Sequence, residues 1–113
     1  PNSVIQVEYD YLLNLAKTNE VAVDVFYRYY LVQMSNLTVV RVYDVSPAGG
    51  AKVDLKSSAN ASVTLTFKSA FGLEKLAPGM AITVYGTCSG SASGIPTFGP
   101  DFVLVSIDFI PNN

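Results

Sequence analysis

The 113-residue chain contains no histidine and no tryptophan, one cysteine, and few charged side chains. Without histidine, the chain lacks the catalytic triads that use a histidine base and the metal sites that use an imidazole ligand. The lone Cys88 excludes an internal disulfide, and free cysteines are among the most buried residues in proteins. We therefore expect no cofactor and no metal, and we expect Cys88 to lie in the core.

Charge is also scarce, at 14% of residues against about 25% in a typical soluble domain. Either Ser, Thr, Asn, Gly and Tyr cover the solvent-facing surface, or an assembly buries part of it. The net charge is −2 and the pI is about 4.8, and the seven Lys and Arg form no cluster in the sequence. Because binding to nucleic acid depends on basic groups that neutralise phosphates, this composition argues against a polyanionic partner.

The sequence has no run of roughly 18 apolar residues, which a membrane span requires, and no basic segment followed by an apolar one, which marks a secretory signal. A start at Pro1 is typical of a mature or trimmed form. We therefore expect any signal or lipid anchor to have preceded this residue.

The first 28 residues are predicted to form a helical segment. Apolar side chains recur at spacings of three and four residues, as on one face of a helix: Leu12, Leu15, Ala16, Ala22, Val23 and Phe26. The pattern predicts a helix over residues 7–27. Thr18-Asn19 predicts a break, with Asn19 as the N-cap of a second short helix and Glu20 in its first turn.

Residues 29–113 have the alternation of strands. The apolar pattern over 29–43 predicts one long strand with a bulge at Ser35-Asn36. Alternating side chains then predict a hairpin of strands at 51–57 and 61–68. Its inward residues are Val53, Leu55, Val63, Leu65 and Phe67.

The C-terminal part is predicted to hold a short helix and two strands. Ser69 is placed to cap a helix over 70–75, and the strand after Pro78-Gly79 points Met80, Ile82 and Val84 inward and Thr83, Tyr85 and Thr87 outward. Ser89 to Pro100 is predicted as a long glycine-rich loop. The last strand, 101–110, is apolar on nearly every residue, so we expect both faces to be covered, by the barrel and by the helix or a neighbouring molecule.

This order of elements predicts a mainly β chain with a five-stranded OB-fold barrel, an N-terminal helix, and a short helix between the third and fourth strands. A glycine-rich turn at 44–50 separates the first two strands. We expect one domain over residues 1–113, with the helical segment at 1–28 and the barrel at 29–113.

Two segments carry a family likeness. One is Asn19-Glu20-Val21-Ala22, followed by Asp24 and Tyr27-Arg28, and the other runs from Leu76 to Gly90. Together they resemble the tRNA-anticodon-binding-like OB-fold family, in which the patterns are "NEvaAd..Yk" and "l.kGd.VtvkGkcsG". Tyr29 and Asn36 stand where that family has glycine, and Tyr85-Gly86-Thr87 replaces a lysine-containing segment. Many members look like envelope lipoproteins, so the resemblance implies an OB fold and an extracytoplasmic location.

OB folds commonly bind ligands on the face of the second and third strands and on the loops beside it. Here the candidate ligand-binding residues are Arg41, Tyr43, Lys52, Lys56, Lys68 and Phe98. A single-stranded nucleic-acid site needs aromatic rings beside a basic groove, and only Tyr43 and Phe98 offer such rings. Single-stranded nucleic acid or a small ligand is therefore the alternative hypothesis for this face.

The densest feature of the sequence is the aromatic run Phe26-Tyr27-Arg28-Tyr29-Tyr30. Barrel packing explains such a run, but Tyr and Arg are also enriched at protein interfaces, so Phe26, Tyr27, Tyr29 and Tyr30 are candidate interface residues. Two N-glycosylation sequons begin at Asn36 and Asn60, of which Asn60 is expected to be the more accessible because it lies in a turn.

The nine acidic residues show neither metal-loop spacing nor a catalytic pair, so no enzyme is predicted. The leading hypothesis is a non-enzymatic OB-fold module outside the cytoplasm, in the periplasm, at the cell surface or secreted. It acts through protein contacts, including self-assembly into a surface structure.

Overall fold

A computed structural model describes residues 4–44 and 50–112 of the chain. The chain is mainly β, and a nearly closed barrel-like sheet carries an N-terminal pair of helices, which confirms the predicted class. The strands are β1 (Ile5–Gln6), β2 (Leu31–Asp44), β3 (Ala51–Lys56), β4 (Ser62–Phe67), β5 (Ala81–Ala92), β6 (Ile95–Phe98) and β7 (Val103–Phe109). The turn predicted at 44–50 falls mostly on residues 45–49, which lie outside the described residues.

The helical segment consists of α1 (Tyr9–Thr18) and α2 (Glu20–Phe26). The predicted break is confirmed, because the Asn19 side chain accepts a hydrogen bond of 3.1 Å from the backbone amide of Ala22. This cap starts α2 anew and changes the direction of the chain. Leu12, Ala16 and Val23 face the core as the spacing predicted. The parallel pairing of β1 with β2 was not predicted, because two residues carry no detectable periodicity.

Five strands form the barrel, and β2 lies at its centre. One edge of β2 pairs antiparallel with β3, which pairs with β4, and the other edge pairs with β5, which pairs with β7. A parallel bridge from Phe67 to Phe102 closes the ring, and the rings of these two residues meet edge to face at 6.3 Å. The inward residues of β3 and β4 that alternation predicted, among them Val53 and Leu65, form the core.

The bulge predicted in the first strand is confirmed. The register of β2 against β5 shifts between Met34 and Leu37, and Asn36 adopts a φ of +60°. A second shift between Val39 and Arg41 allows the same 14-residue strand to pair with both halves of the barrel.

The long loop predicted at 89–100 is wrong. β5 continues to Ala92, and β6 pairs back onto it after a two-residue turn at Ser93-Gly94. Both turn residues have positive φ, at 54° and 76°, as tight hairpins of the primed types require. The glycines suggested a loop, and the sequence lacks the clear alternation that marks a hairpin.

Two further expectations need correction. The helix predicted over 70–75 is only the 3-10 turn Leu73–Lys75, because Gly72 takes a left-handed φ of +89° at its start. The outer side of the last strand is not covered by the helices, and Val105, Phe109 and Ile110 are exposed.

Thr83 was expected to face solvent, but it is buried. Its hydroxyl donates to Asp108 at 2.5 Å and lies 3.1 Å from the Ser35 hydroxyl. The neighbouring strands supply these partners, which the pattern of β5 alone does not reveal.

Candidate functional site

A groove runs along the seam of the barrel where β4 faces β6. We call it the seam groove. It has a volume of about 400 Å³. One wall belongs to β4 and carries Ser62, Thr64 and Thr66, with Lys52 of β3 beside them. The other wall belongs to β6 and carries Ile95 to Thr97. The floor is formed by Tyr9, Val63 and Phe98. The Phe67–Phe102 bridge marks the end of the groove at which β4 meets the start of β7.

The outer face of β2 and β3 brings Arg41, Tyr43 and Asp54 together. The Arg41 guanidinium carbon lies 4.2 Å from the centre of the Tyr43 ring, which is cation–π geometry. The Tyr43 hydroxyl donates to Asp54 at 3.3 Å, and the Thr64 hydroxyl donates to the same oxygen at 2.7 Å. The Asp54 carboxylate is therefore already solvated by two hydroxyls.

The three candidate lysines are spread along β4 and are not gathered at one point. Lys52 pairs with Thr66 and lines the seam groove, and Lys56 pairs with Ser62 at the other end of β4. Lys68 lies past the Phe67 bridge, in a separate groove with Phe71. With a rise of about 3.3 Å per residue, the six steps from Ser62 to Lys68 separate the ends of this row by roughly 20 Å.

The two candidate stacking rings already have partners. Arg41 covers Tyr43, and Phe98 packs edge to face on Phe102 at 5.6 Å and lies 6.2 Å from Tyr9. Base stacking on either ring requires a free aromatic face. This face therefore has basic residues but no aromatic ring with a free face on which a base could stack. That weakens the alternative hypothesis that it binds single-stranded nucleic acid.

A second surface lies where the helical segment ends. We call it the helix-end patch. It consists of Val21, Val25, Phe26, Tyr29 and Tyr30, all of which are exposed, from 55% at Tyr30 to 71% at Tyr29. The sequence predicted Phe26, Tyr29 and Tyr30 as interface residues, but it did not identify the two valines. Helix α2 buries only Val23, so Val21 and Val25 lie on its exposed side.

Tyr27, the fourth predicted interface residue, is directed inward instead. It is half-buried against the core. Burial raises the pKa of its phenol, and the neighbouring Tyr11 raises it further. Tyr27 is therefore a packing residue beneath the patch, in line with the simpler reading of the aromatic run.

Backbone bonds hold the patch in place. The Tyr29 amide donates to the Cys88 carbonyl at 2.7 Å, and the Cys88 amide donates to the Tyr30 carbonyl at 2.9 Å. Tyr29 adopts a left-handed φ of +70°, and the Arg28 guanidinium carbon lies 4.8 Å above its ring. Cys88 itself is buried, as predicted, and burial raises the pKa of its thiol.

Residues of α2 and its cap contact the hairpin formed by β5 and β6. Asn19 caps α2, and the Glu20 carboxylate accepts a hydrogen bond from the Gly94 amide in the β5–β6 turn. An added Cβ at Gly90 would lie 2.8 Å from an Asp24 carboxylate oxygen, and its φ of +121° also favours glycine. These residues dock the β5–β6 hairpin on α2, which is a structural role.

A carboxylate anchors the start of the last strand. Asp101 accepts hydrogen bonds from the Thr87 amide at 3.0 Å and the Thr87 hydroxyl at 2.6 Å. Burial works to raise the pKa of Asp101, but these hydrogen bonds, with Lys68 nearby, lower it further than burial raises it. Asp101 therefore ties the start of the last strand to β5.

Both sequons lie on the surface. Asn60 is exposed in the turn between β3 and β4, with a φ of +69°. Asn36 was expected to be the less accessible, but the bulge exposes it, and its amide nitrogen donates to Glu8 at 3.0 Å. Asn36 is therefore exposed, but its side-chain amide is engaged by Glu8.

Comparisons with known proteins found no match among family models, curated proteins or solved structures. Within residues 4–44 and 50–112, no group of three His, Cys, Asp or Glu side chains is placed to hold a metal ion. None of the helices in the described part of the chain has the length and apolar character needed to cross a membrane.

Proposed function

We propose that this chain is a non-enzymatic OB-type module that acts outside the cytoplasm through protein contacts, and that the helix-end patch binds a second copy of the chain. The observation that carries the proposal is the exposure of Phe26, Tyr29 and Tyr30 beside two exposed valines. With about 200 Å² for each aromatic side chain, the three rings expose roughly 400 Å². Exposed apolar patches of about this size on a monomer are often functional.

The pairing order supports the OB assignment. The strands β2, β3 and β4 form a meander, β5 returns to β2, and β7 closes against β4, which is the arrangement of a five-stranded, partly open Greek-key barrel. Tyr29 and Asn36, which replace the glycines of the family pattern, both adopt positive φ. Glycine is the usual residue for that conformation, so the backbone fits the family pattern where the side chains differ.

One end of the patch has a fixed backbone. Two backbone hydrogen bonds join Tyr29 and Tyr30 to Cys88, and Arg28 stacks on Tyr29. Association through a segment whose backbone is already ordered loses less conformational entropy. Tyr and Arg are also the side chains most often found at energetic hot spots of interfaces.

The low charge supports the same proposal. A chain in which 14% of the residues are charged has few like charges on its surface to keep copies apart. Two patches that bury roughly 500 Å² each reach the roughly 1,000 Å² at which specific interfaces begin. The extracytoplasmic location rests on the family resemblance, and fractionation of cells that produce the protein from its natural gene tests it.

Size-exclusion chromatography with light scattering tests the self-association. The wild-type chain is expected to shift from monomer to dimer or larger species as its concentration rises. Phe26→Ser and Tyr29→Ser are expected to return it to monomer. Phe71→Ser is the matched control, because Phe71 is 91% exposed but lies outside the patch. A wild-type chain that stays monomeric at the highest soluble concentration contradicts the proposal.

A further inference from the structure

The β4 edge at the seam presents an open row of backbone hydrogen-bonding groups. The Thr66 carbonyl accepts from the Phe102 amide at 3.2 Å, so Thr66 points its backbone groups into the seam. Backbone direction alternates along a strand, so the amides and carbonyls of Thr64 and Ser62 point the same way. No backbone hydrogen bond within the described residues joins β4 to β6.

The opposite wall is not an equivalent edge. The Cys88 amide and carbonyl both bond to the Tyr29–Tyr30 segment, so its cross-strand partner Phe98 points its backbone groups away from β5 and toward the seam. Pro96, two residues earlier, has the same direction but has no amide hydrogen. β6 therefore offers mostly acceptors, and β4 offers both donors and acceptors.

The groove also has a chemical polarity. Its floor is apolar and aromatic, at Tyr9, Val63 and Phe98. Its outer rim is basic. Lys52 lines the groove, and Lys56 of β3 pairs with Ser62 at the other end of the β4 wall. Two hydroxyls already bond to Asp54, which lies between these lysines. An extended chain lying along β4 alternates its side chains between this floor and this rim.

We propose that the seam groove binds an extended acidic peptide segment of another protein by adding it as a strand to β4. Side chains that point down are apolar and contact Phe98 and Tyr9, and side chains that point out are Asp or Glu and face Lys52 and Lys56. Main-chain hydrogen bonds give affinity in this mode and alternating side-chain positions give specificity. This site is separate from the helix-end patch, and it does not depend on self-association.

Fluorescence anisotropy with a labelled Glu-Val-Glu-Val-Glu peptide tests the proposal on the full chain, up to about 1 mM protein. We expect saturable binding that weakens with salt. Lys52→Glu is expected to weaken it at least about tenfold, and Lys75→Glu, an exposed lysine outside the groove, leaves it unchanged. A Lys-Val-Lys-Val-Lys peptide is expected not to bind.

Backbone methylation separates strand addition from simple charge attraction. Two versions of the peptide carry N-methyl groups on alternate residues, and we expect at least one to lose binding about tenfold. The proposal is overturned if both bind like the parent or if the parent does not bind. It is also overturned if a labelled single-stranded oligonucleotide binds more tightly than the peptide and loses binding in Lys52→Glu. A dimer that Lys52→Glu dissociates overturns it as well, because the groove is then filled by a second copy.

Discussion

Gly86 is the position at which one added methyl group should damage the barrel most. A Cβ built on Gly86 would lie 2.5 to 2.7 Å from three atoms of the Phe102 ring, where ordinary contacts are about 3.5 to 4.0 Å. The ring must therefore move by roughly 1 Å. It has little room to do so, because Phe102 is fully buried and packs on Phe67 and Phe98.

We expect Gly86→Ala to lower the free energy of unfolding by about 3 kcal/mol, at the upper end of the overpacking range. Phe102→Ala alone removes the ring and costs about 3 to 5 kcal/mol through lost burial and a cavity. In the double variant the new methyl group occupies space that the ring has left. Gly86→Ala should therefore cost less than about 0.5 kcal/mol in that background, and the two changes are strongly non-additive.

Urea unfolding followed by far-UV circular dichroism and tyrosine fluorescence measures all four members of this cycle. Gly50→Ala is the control, because its nearest atom beyond chain neighbours is 3.6 Å away and its φ lies outside the left-handed region. We expect it to change stability by less than about 1 kcal/mol, and in the stabilising direction. Additivity of Gly86→Ala and Phe102→Ala within about 0.5 kcal/mol refutes the reasoning, since the ring contact is then not the cause.

Three other predictions test single features. Hydrogen bonds lower the pKa of the folded-state Asp101 carboxyl below its unfolded value. Its contribution to stability is therefore present above about pH 4 and is lost as the pH falls through the folded pKa. In Asp101→Asn, the free energy of unfolding measured between about pH 5 and pH 2 should fall less steeply than in the wild type. Burial raises the pKa of the Cys88 thiol, so a thiol reagent at neutral pH should modify it only as fast as the chain unfolds, and immediate labelling of the native protein contradicts its burial. Ser93 has a φ of +54°, a conformation that glycine adopts more readily. Ser93→Gly should therefore raise the free energy of unfolding by up to about 1 kcal/mol and raise the midpoint of thermal unfolding. The control Ala92→Gly, at a strand position, should lower that midpoint.

Local patterns were sufficient to predict the class of fold. The inward residues of β3 and β4 follow from strict alternation, because both strands have one core face and one solvent face. The cap at Asn19 and the bulge at Asn36 were also predictable, since each depends on a few neighbouring residues. The candidate site was predicted in part, because the sequence identified Lys52 and Phe98, which the fold brings to one groove.

The remaining features depend on contacts between distant segments. The alternation of β5 predicts that Thr83 faces solvent, but Thr83 is buried where neighbouring strands bring Ser35 and Asp108 to its hydroxyl. The β6 strand is stabilised by docking on α2 through Glu20, which composition does not reveal. The seam groove depends on the separation between β4 and β6 beyond the Phe67–Phe102 bridge. The pattern of apolar residues in a strand carries no information about the distance between two strands that do not pair.

The docking of the β5–β6 hairpin on α2 has a consequence for which substitutions the chain tolerates. Asn19, Glu20, Asp24 and Gly90 serve contacts inside the molecule, through their side chains or, at Gly90, through the lack of one. The helix-end patch and the lysine rim take no part in those contacts. Substitutions at positions 25, 26, 29 and 52 should therefore change what the chain binds and leave the docking of the hairpin intact.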